Sequence, residues 1–208
     1  LPSETDGPAI ESTLQMLLDG HDTLRSILID TAEGPRLVTR EPGVVHAAGL
    51  LSRVQVPSAT DAELCSAITE SARAVTEEID PRAGAMLRAV WFRGPTRGDV
   101  LLLTAHHLAV DVVSWHIMLG DIAEAWRSVQ SGSAPTTPKM LPEFTSYRRF
   151  SQLMWARTAE PDVQNQRDYW IAQVREPDPA LGRRHPDPSR DTWSTLRVTQ
   201  VISPVDHV

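Results

Sequence analysis

The sequence predicts an α/β fold, a mixed sheet flanked by helices in one layered lobe. Three observations carry that expectation. Apolar residues recur three or four positions apart in several separate stretches, as amphipathic helices require. Short β-prone runs lie between them, and one, residues 100–105, is continuously apolar, which suits an interior strand covered on both faces. The two kinds of segment alternate and mix along the chain, which points to packed helix and sheet layers with strand order and direction left open.

In order along the chain, Pro8 stands where a first helical turn begins, and Ile10, Leu14, Leu17 and Leu18 follow at helical spacing until Gly20. Residues 26–30 and 36–40 are β-prone and flank Thr31-Ala32-Glu33-Gly34-Pro35, which has hairpin-turn composition. Asp61 is placed to cap a longer helix with Leu64, Ile68, Ala72, Val75 and Ile79 on its apolar face, ending before Pro81. Strands are expected at 86–92 and 100–105, with His106 and His107 closing the second. Trp115, Met118, Leu119, Ile122 and Trp126 then mark a helix ending near Gly132, so the histidines lie at a strand-to-helix junction. Further helical patterns occupy 146–156 and 162–174. A Pro-rich, charged stretch at 176–190 breaks all periodicity, and a last strand is expected at 195–202. There is no internal repeat.

At 208 residues the chain is long enough for one well-buried core. The hydrophobic fraction of 41% and charged fraction of 23% are those of an ordinary globular protein, while 16 prolines point to structured loops. A net charge of −7 argues against nucleic acid and anionic lipid as partners, since both need clustered positive charge to displace counterions. No apolar stretch reaches the roughly 20 residues that span a bilayer, and the start lacks the charged-then-apolar order of an export signal. The single cysteine, Cys65, leaves no intrachain disulfide and reads as a small buried hydrophobe in a reducing, cytoplasmic setting.

The chemistry concentrates in His106-His107-Leu108-Ala109-Val110-Asp111-Val112-Val113-Ser114-Trp115, where titratable groups sit among apolar neighbours. Such placement is costly unless the groups are paired. Adjacent side chains on a strand point to opposite faces, so the two histidines cannot easily serve one atom: one faces a cleft and the other props the backbone. An imidazole at a strand end is a candidate general base near neutral pH. Asp111 can hold an Arg or a backbone amide and fix the loop, or can orient the base; the structural role is favoured. A zinc site is not expected, because His21, His46, His116, His185 and His207 form no helical His-x-x-x-His pair and no Cys joins them. Ser114 lacks the Gly-flanked turn of a serine nucleophile and reads as a helix cap. Alone, the run is equally compatible with two satisfied core histidines and a capping Asp.

Companion motifs decide the matter. The run resembles the His-His-x-x-x-Asp signature of the superfamily that holds condensation and epimerization domains of nonribosomal peptide synthetases together with chloramphenicol acetyltransferase, and it continues as Ser114-Trp115-His116-Ile117-Met118-Leu119. Leu17-Leu18-Asp19-Gly20-His21-Asp22-Thr23-Leu24-Arg25 resembles the family's upstream helix with its His-acid-x-Leu-Arg end. Residues 83–92 resemble the strand before the motif, and 145–150 with Tyr169-Trp170 the helices after it.

The resemblance implies a chloramphenicol acetyltransferase-like lobe over 1–175 that lacks the family's first helix and strand. It implies a Pro-rich linking loop at 176–194 and a strand at 195–208 leading toward a carboxy-terminal lobe. It gives His107 the catalytic acid/base role, His106 a supporting one and Asp111 a structural carboxylate paired with Arg25, with Ser114 and Trp115 as further support. No directly bound cofactor or metal is implied; the 4'-phosphopantetheine arm of a peptidyl carrier protein delivers the substrate, and adjacent synthetase domains and the carboxy-terminal lobe, which supplies a Glu as second acid/base, are partners.

The Ser114-Trp115 pair, the Ala89-Val90-Trp91-Phe92 strand and the run 187–192 resemble epimerization domains most, which implies inversion of the α-carbon of a carrier-bound aminoacyl or peptidyl thioester. Amide-bond condensation between two carrier-bound substrates is the alternative. Val112 departs from the family, which has Gly after the Asp; if that Gly serves a positive φ or a close approach, Val112 strains or narrows the turn. A catalytically incomplete lobe that only docks carriers is the third reading.

Overall fold

A computed structural model describes residues 5–56, 60–93, 98–132, 145–175, 184–185 and 187–191. The chain divides into two compact units, Leu1–Phe144 and Thr145–Val208.

The first unit is built on helix α1, Gly7–Gly20, whose first turn is capped by Asp6, its carboxylate accepting from the Ala9 amide at 2.7 Å. Ile10, Leu14, Leu17 and Leu18 are all buried, as their spacing predicts. Gly20 is the last helical residue, and the chain leaves through an extended His21 whose N–H still reaches the Leu17 carbonyl. A 3₁₀ turn, Asp22–Arg25, leads into the hairpin β1, Ser26–Thr31, and β2, Gly34–Thr39. The hairpin is tighter than its composition indicates: the strands run up to the Thr31–Gly34 pair, and Gly34, at φ 111°, takes the backbone angle that favours glycine.

Among the described residues the main sheet has three strands in the order β3-β4-β5: Leu51–Gln55, Leu87–Arg93 and Val100–Ala105. β3 runs parallel to β4 and is joined to it through helix α2, Asp61–Glu77, whereas β5 is antiparallel to β4. The mixed sheet flanked by helices is the expected fold class. Two details differ. β3 is not foreseen in the sequence, and β4 rather than β5 is the interior strand. β5 reads as interior because helices cover both its faces, so every position must be apolar whether or not its outer edge is paired.

Alternation along the strands sorts side chains into two layers. Leu87, Ala89 and Trp91 of β4 face α1 and helix α3, Val112–Gln130, and join Leu101, Leu103 and Ala105 of β5 there. Val90 and Phe92 face the other way, with Val54, Val100 and Leu102, onto α2. The cap of α2 is Thr60 rather than Asp61: its hydroxyl accepts from the Glu63 amide and donates to the Glu63 carboxylate. Cys65, expected inside, is exposed, because the apolar stripe of α2 passes through Leu64, Ala67 and Ile68 beside it. Likewise Leu119 of α3 is 57% exposed, and the buried stripe there runs through Met118 and Ala125.

In the second unit Ser146 caps helix α4, Tyr147–Arg157, as the pattern predicts. The single helix expected over 162–174 is two pieces, α5 Pro161–Gln164 and α6 Arg167–Gln173, separated where the Gln166 N–H takes the Val163 carbonyl in a tighter, three-residue turn. Part of the Pro-rich stretch is stitched together locally. Arg184 grips Asp191 through two bonds of 2.6 and 2.5 Å, which holds the Asp191 carboxyl down at about 2. Asp187 accepts from both the amide and hydroxyl of Ser189. The strand expected at 195–202 lies outside the described residues.

No helix among the described residues is long and apolar enough to cross a membrane.

Candidate functional site

β5 delivers the site. Its last residue, Ala105, is followed by His106, whose N–H still bonds across to the Met86 carbonyl at 2.9 Å, and the chain then turns. The turn is closed by its own first residue. The Ala109 and Val110 amides both take the His106 carbonyl, at 2.9 and 3.2 Å, and the Leu108 amide donates to His106 Nδ1 at 2.9 Å. A ring nitrogen that accepts carries no proton, so a neutral His106 has its hydrogen on Nε2.

His107 is different in kind. It lies within the turn rather than on the strand, its side chain is exposed, and among the described residues its imidazole has no hydrogen-bond partner. The strand alternation expected to separate the two rings therefore does not apply; the His106 ring bonds within the turn and the His107 ring is exposed.

Asp111 caps α3. One carboxylate oxygen, Oδ1, accepts from the Ser114 amide at 2.7 Å and from the Ser114 hydroxyl at 2.6 Å. These bonds favour the charged form and hold the Asp111 carboxyl below the usual carboxylate range, the Ser114 hydroxyl being the largest cause. An anion at a helix N-terminus also meets the positive end of the backbone dipoles. Asp111 is thus a structural carboxylate, and Ser114, expected as the cap itself, is the residue the cap holds.

The expected Arg25–Asp111 pair does not form. Arg25 is 3% exposed and donates to the Leu18 and Asp19 carbonyls at 2.6 and 2.7 Å, to the Arg40 carbonyl at 3.0 Å, and to Asp22 at 2.7 Å. It ties off the last carbonyls of α1, for which a cation is well suited. Its acidic partner lies three residues back in the same 3₁₀ turn, and Asp111 is already satisfied by Ser114. Val112 also corrects an expectation: among the described residues no non-glycine residue has positive φ, and Val112 begins α3 in ordinary helical conformation without strain. Its side chain, 73% exposed, stands at the surface next to Asp111.

Two residues that sequence reasoning missed connect this turn to α1's exit. Thr23 Oγ1 donates to the Ala109 carbonyl at 3.1 Å, and His21 Nε2 lies 2.9 Å from Asp121 Oδ2 on α3. Thr23 was visible only as the unassigned position of the His-acid-x-Leu-Arg run, and Asp121 carried no signal at all. Trp115, half-buried, packs on the α1 side of the sheet. The two sequence motifs, some 80 residues apart, are thereby in direct contact. Among the described residues no group of three or more His, Cys, Asp or Glu side chains is placed to hold a metal ion.

Residues 1–205 match the family described as Condensation domain. The chain belongs to that family. Surfactin synthase subunit 1 of Bacillus subtilis is 34% identical over 143 residues, which is 68% of this chain and 4% of that protein. A linear gramicidin synthase of Brevibacillus parabrevis is 28% identical over 193 residues, 92% of this chain and 2% of that one. In fold the chain is similar to the epimerization domain from the third module of tyrocidine synthetase B, with a TM-score of 0.69 at 19% identity over 85% of this chain and 38% of that one. It is nearly as similar to the first condensation domain of the calcium-dependent antibiotic synthetase, with a TM-score of 0.67 at 22% identity over 86% of this chain and 43% of that one. This condensation-family chain therefore spans about two fifths of the solved domains it matches and a few per cent of the synthetases.

Proposed function

We propose that this chain supplies the histidine-bearing half of an epimerization site in a nonribosomal peptide synthetase, acting on an aminoacyl or peptidyl thioester presented on the phosphopantetheine arm of a peptidyl carrier protein. The observation that carries the reading is the unequal state of the two histidines: His106 is spent on the turn, while the His107 imidazole is exposed and uncommitted. His107 takes the α-proton of the thioester, the C–H electron pair passes into an enolate-like intermediate, and a second acid from outside this chain returns a proton to the opposite face. Asp111, held ionised by Ser114, keeps the start of α3 and hence the turn in place. Adjacent synthetase domains and the remainder of the domain complete the site.

Amide-bond condensation is the second reading, favoured by the family description that matches residues 1–205. There His107 would take the proton of the attacking amine or orient it. A carrier-docking lobe without chemistry of its own is the third reading; it is motivated by Val112 in the place of the family's Gly, although Val112 brings no backbone strain. The full-length protein, loaded with an aminoacyl or peptidyl carrier thioester in deuterated water, separates the two reactions. Epimerization incorporates deuterium at the α-carbon and accumulates both configurations. Peptide formed between donor and acceptor carriers with no deuterium at that position overturns it in favour of condensation.

A further inference from the structure

We propose that Thr23 is a positioning residue for the His106–Asp111 turn, its hydroxyl holding the His107 imidazole in place through the Ala109 carbonyl; the catalytic consequence rests on the role of His107 given above.

The bonds inside the turn set its shape but not its place. Those of Leu108, Ala109 and Val110 all return to His106. The turn is fixed to the sheet at its start, through the His106 N–H and the Met86 carbonyl, and among the described residues Asp111 at its end bonds only within α3. Between these points the Ala109 carbonyl, two residues after His107, is taken from outside the turn by Thr23 Oγ1 at 3.1 Å.

The segment that carries this hydroxyl is stiff. Leu24 is 1% exposed, Arg25 is clamped to the Leu18 and Asp19 carbonyls, and His21 is tied to Asp121 on α3 at 2.9 Å. One short stretch, His21–Arg25, thus holds both the turn and the helix that follows it. Thr suits the task better than Ser because its branched Cβ restricts the first side-chain rotation. Val in its place keeps the shape and removes the only donor, which leaves a half-buried carbonyl without its protein partner.

The test compares Thr23→Val with Thr23→Ser. In this chain, Thr23→Val raises the exchange rates of the Leu108, Ala109 and Val110 amides by about tenfold while protection in β4 and β5 stays within about twofold, the mark of a local opening. Thr23→Ser restores most of the protection. In the full-length protein, Thr23→Val lowers kcat with KM little changed, and Thr23→Ser recovers it. Unchanged exchange in the turn, or a uniform rise across the sheet that Ser does not reverse, overturns the proposal; so does local loosening with kcat unaltered in a protein whose His107→Ala variant is inactive. An active His107→Ala variant alongside the expected local exchange would instead contradict the role of His107 and leave the Thr23 tether standing.

Discussion

The two faces of the three-stranded sheet are packed to very different depths, and the site belongs to the deeper one. On one face α1 buries Ile10, Leu14, Leu17 and Leu18 almost completely, with Leu24, Leu87, Ala89 and Trp91 beside them. On the other, α2 is longer, at 17 residues, yet Val75 is its single buried residue, and its cluster is completed by Val56, Val90 and Phe92. Polar cross-links stand on both faces: Arg25 on the α1 carbonyls, His21 on Asp121 and Thr23 on Ala109 lie on the α1 side, and Arg88 joins Glu78 at the end of α2 on the other. The turn that carries His107 is anchored where packing is dense, as a precisely held group requires. The α2 face serves as a cover.

The largest test of that asymmetry is Arg25→Met. It removes a buried cation and leaves the Leu18, Asp19 and Arg40 carbonyls without a donor, so urea denaturation should show a loss of about 3–5 kcal/mol. A loss under about 1 kcal/mol would mean that the polar links on this face are incidental. Next come matched truncations on the two faces. Leu18→Ala should cost about 3–5 kcal/mol and Val75→Ala, which removes one carbon fewer, about 1.5, from the groups lost and the cavities left. Equal costs would break the comparison.

Where the sequence succeeded and where it failed follows the same division. α1 and α3 were legible because a helix against a deep core must carry an unbroken stripe of large apolar residues. α2 was legible as a helix, but its shallow seat left the interior assignment of Cys65 undetermined. β3 was missed because Ser52, Arg53 and Gln55 face solvent, so a five-residue parallel strand has too few apolar positions to register. The run of titratable residues was plain, and Asp111 caps α3 within it. Its partner was not: an Arg and an Asp from two motifs suggested a long-range pair, whereas Asp22, three residues from Arg25, and Ser114, three from Asp111, reach each of them through local turns. Which histidine is open to solvent depends on where β5 ends and the turn begins, a boundary that pattern alone does not locate.

The smallest effect concerns pH. The Asp111 carboxyl is lowered by its bonds to Ser114, so its capping contribution is present above the ordinary carboxylate value and is lost as pH falls through the lower, folded one. Asp111→Asn keeps an acceptor for the cap but not the charge. Its thermal midpoint should lie slightly below that of the parent at neutral pH and draw level with it once pH has fallen below the ordinary carboxylate range. A gap that widens on acidification would contradict the assignment.

The central proposal is that His106 builds the turn and His107 performs the proton transfer, in epimerization or in condensation. The direct measurement is the turnover of carrier-bound substrate by its His107→Ala variant, with carrier binding and thermal midpoint measured alongside. The account predicts a fall of about 10²–10⁴-fold, the range for a general acid or base, with binding and midpoint unchanged. Turnover at the parent rate by a folded, carrier-binding His107→Ala protein would contradict it.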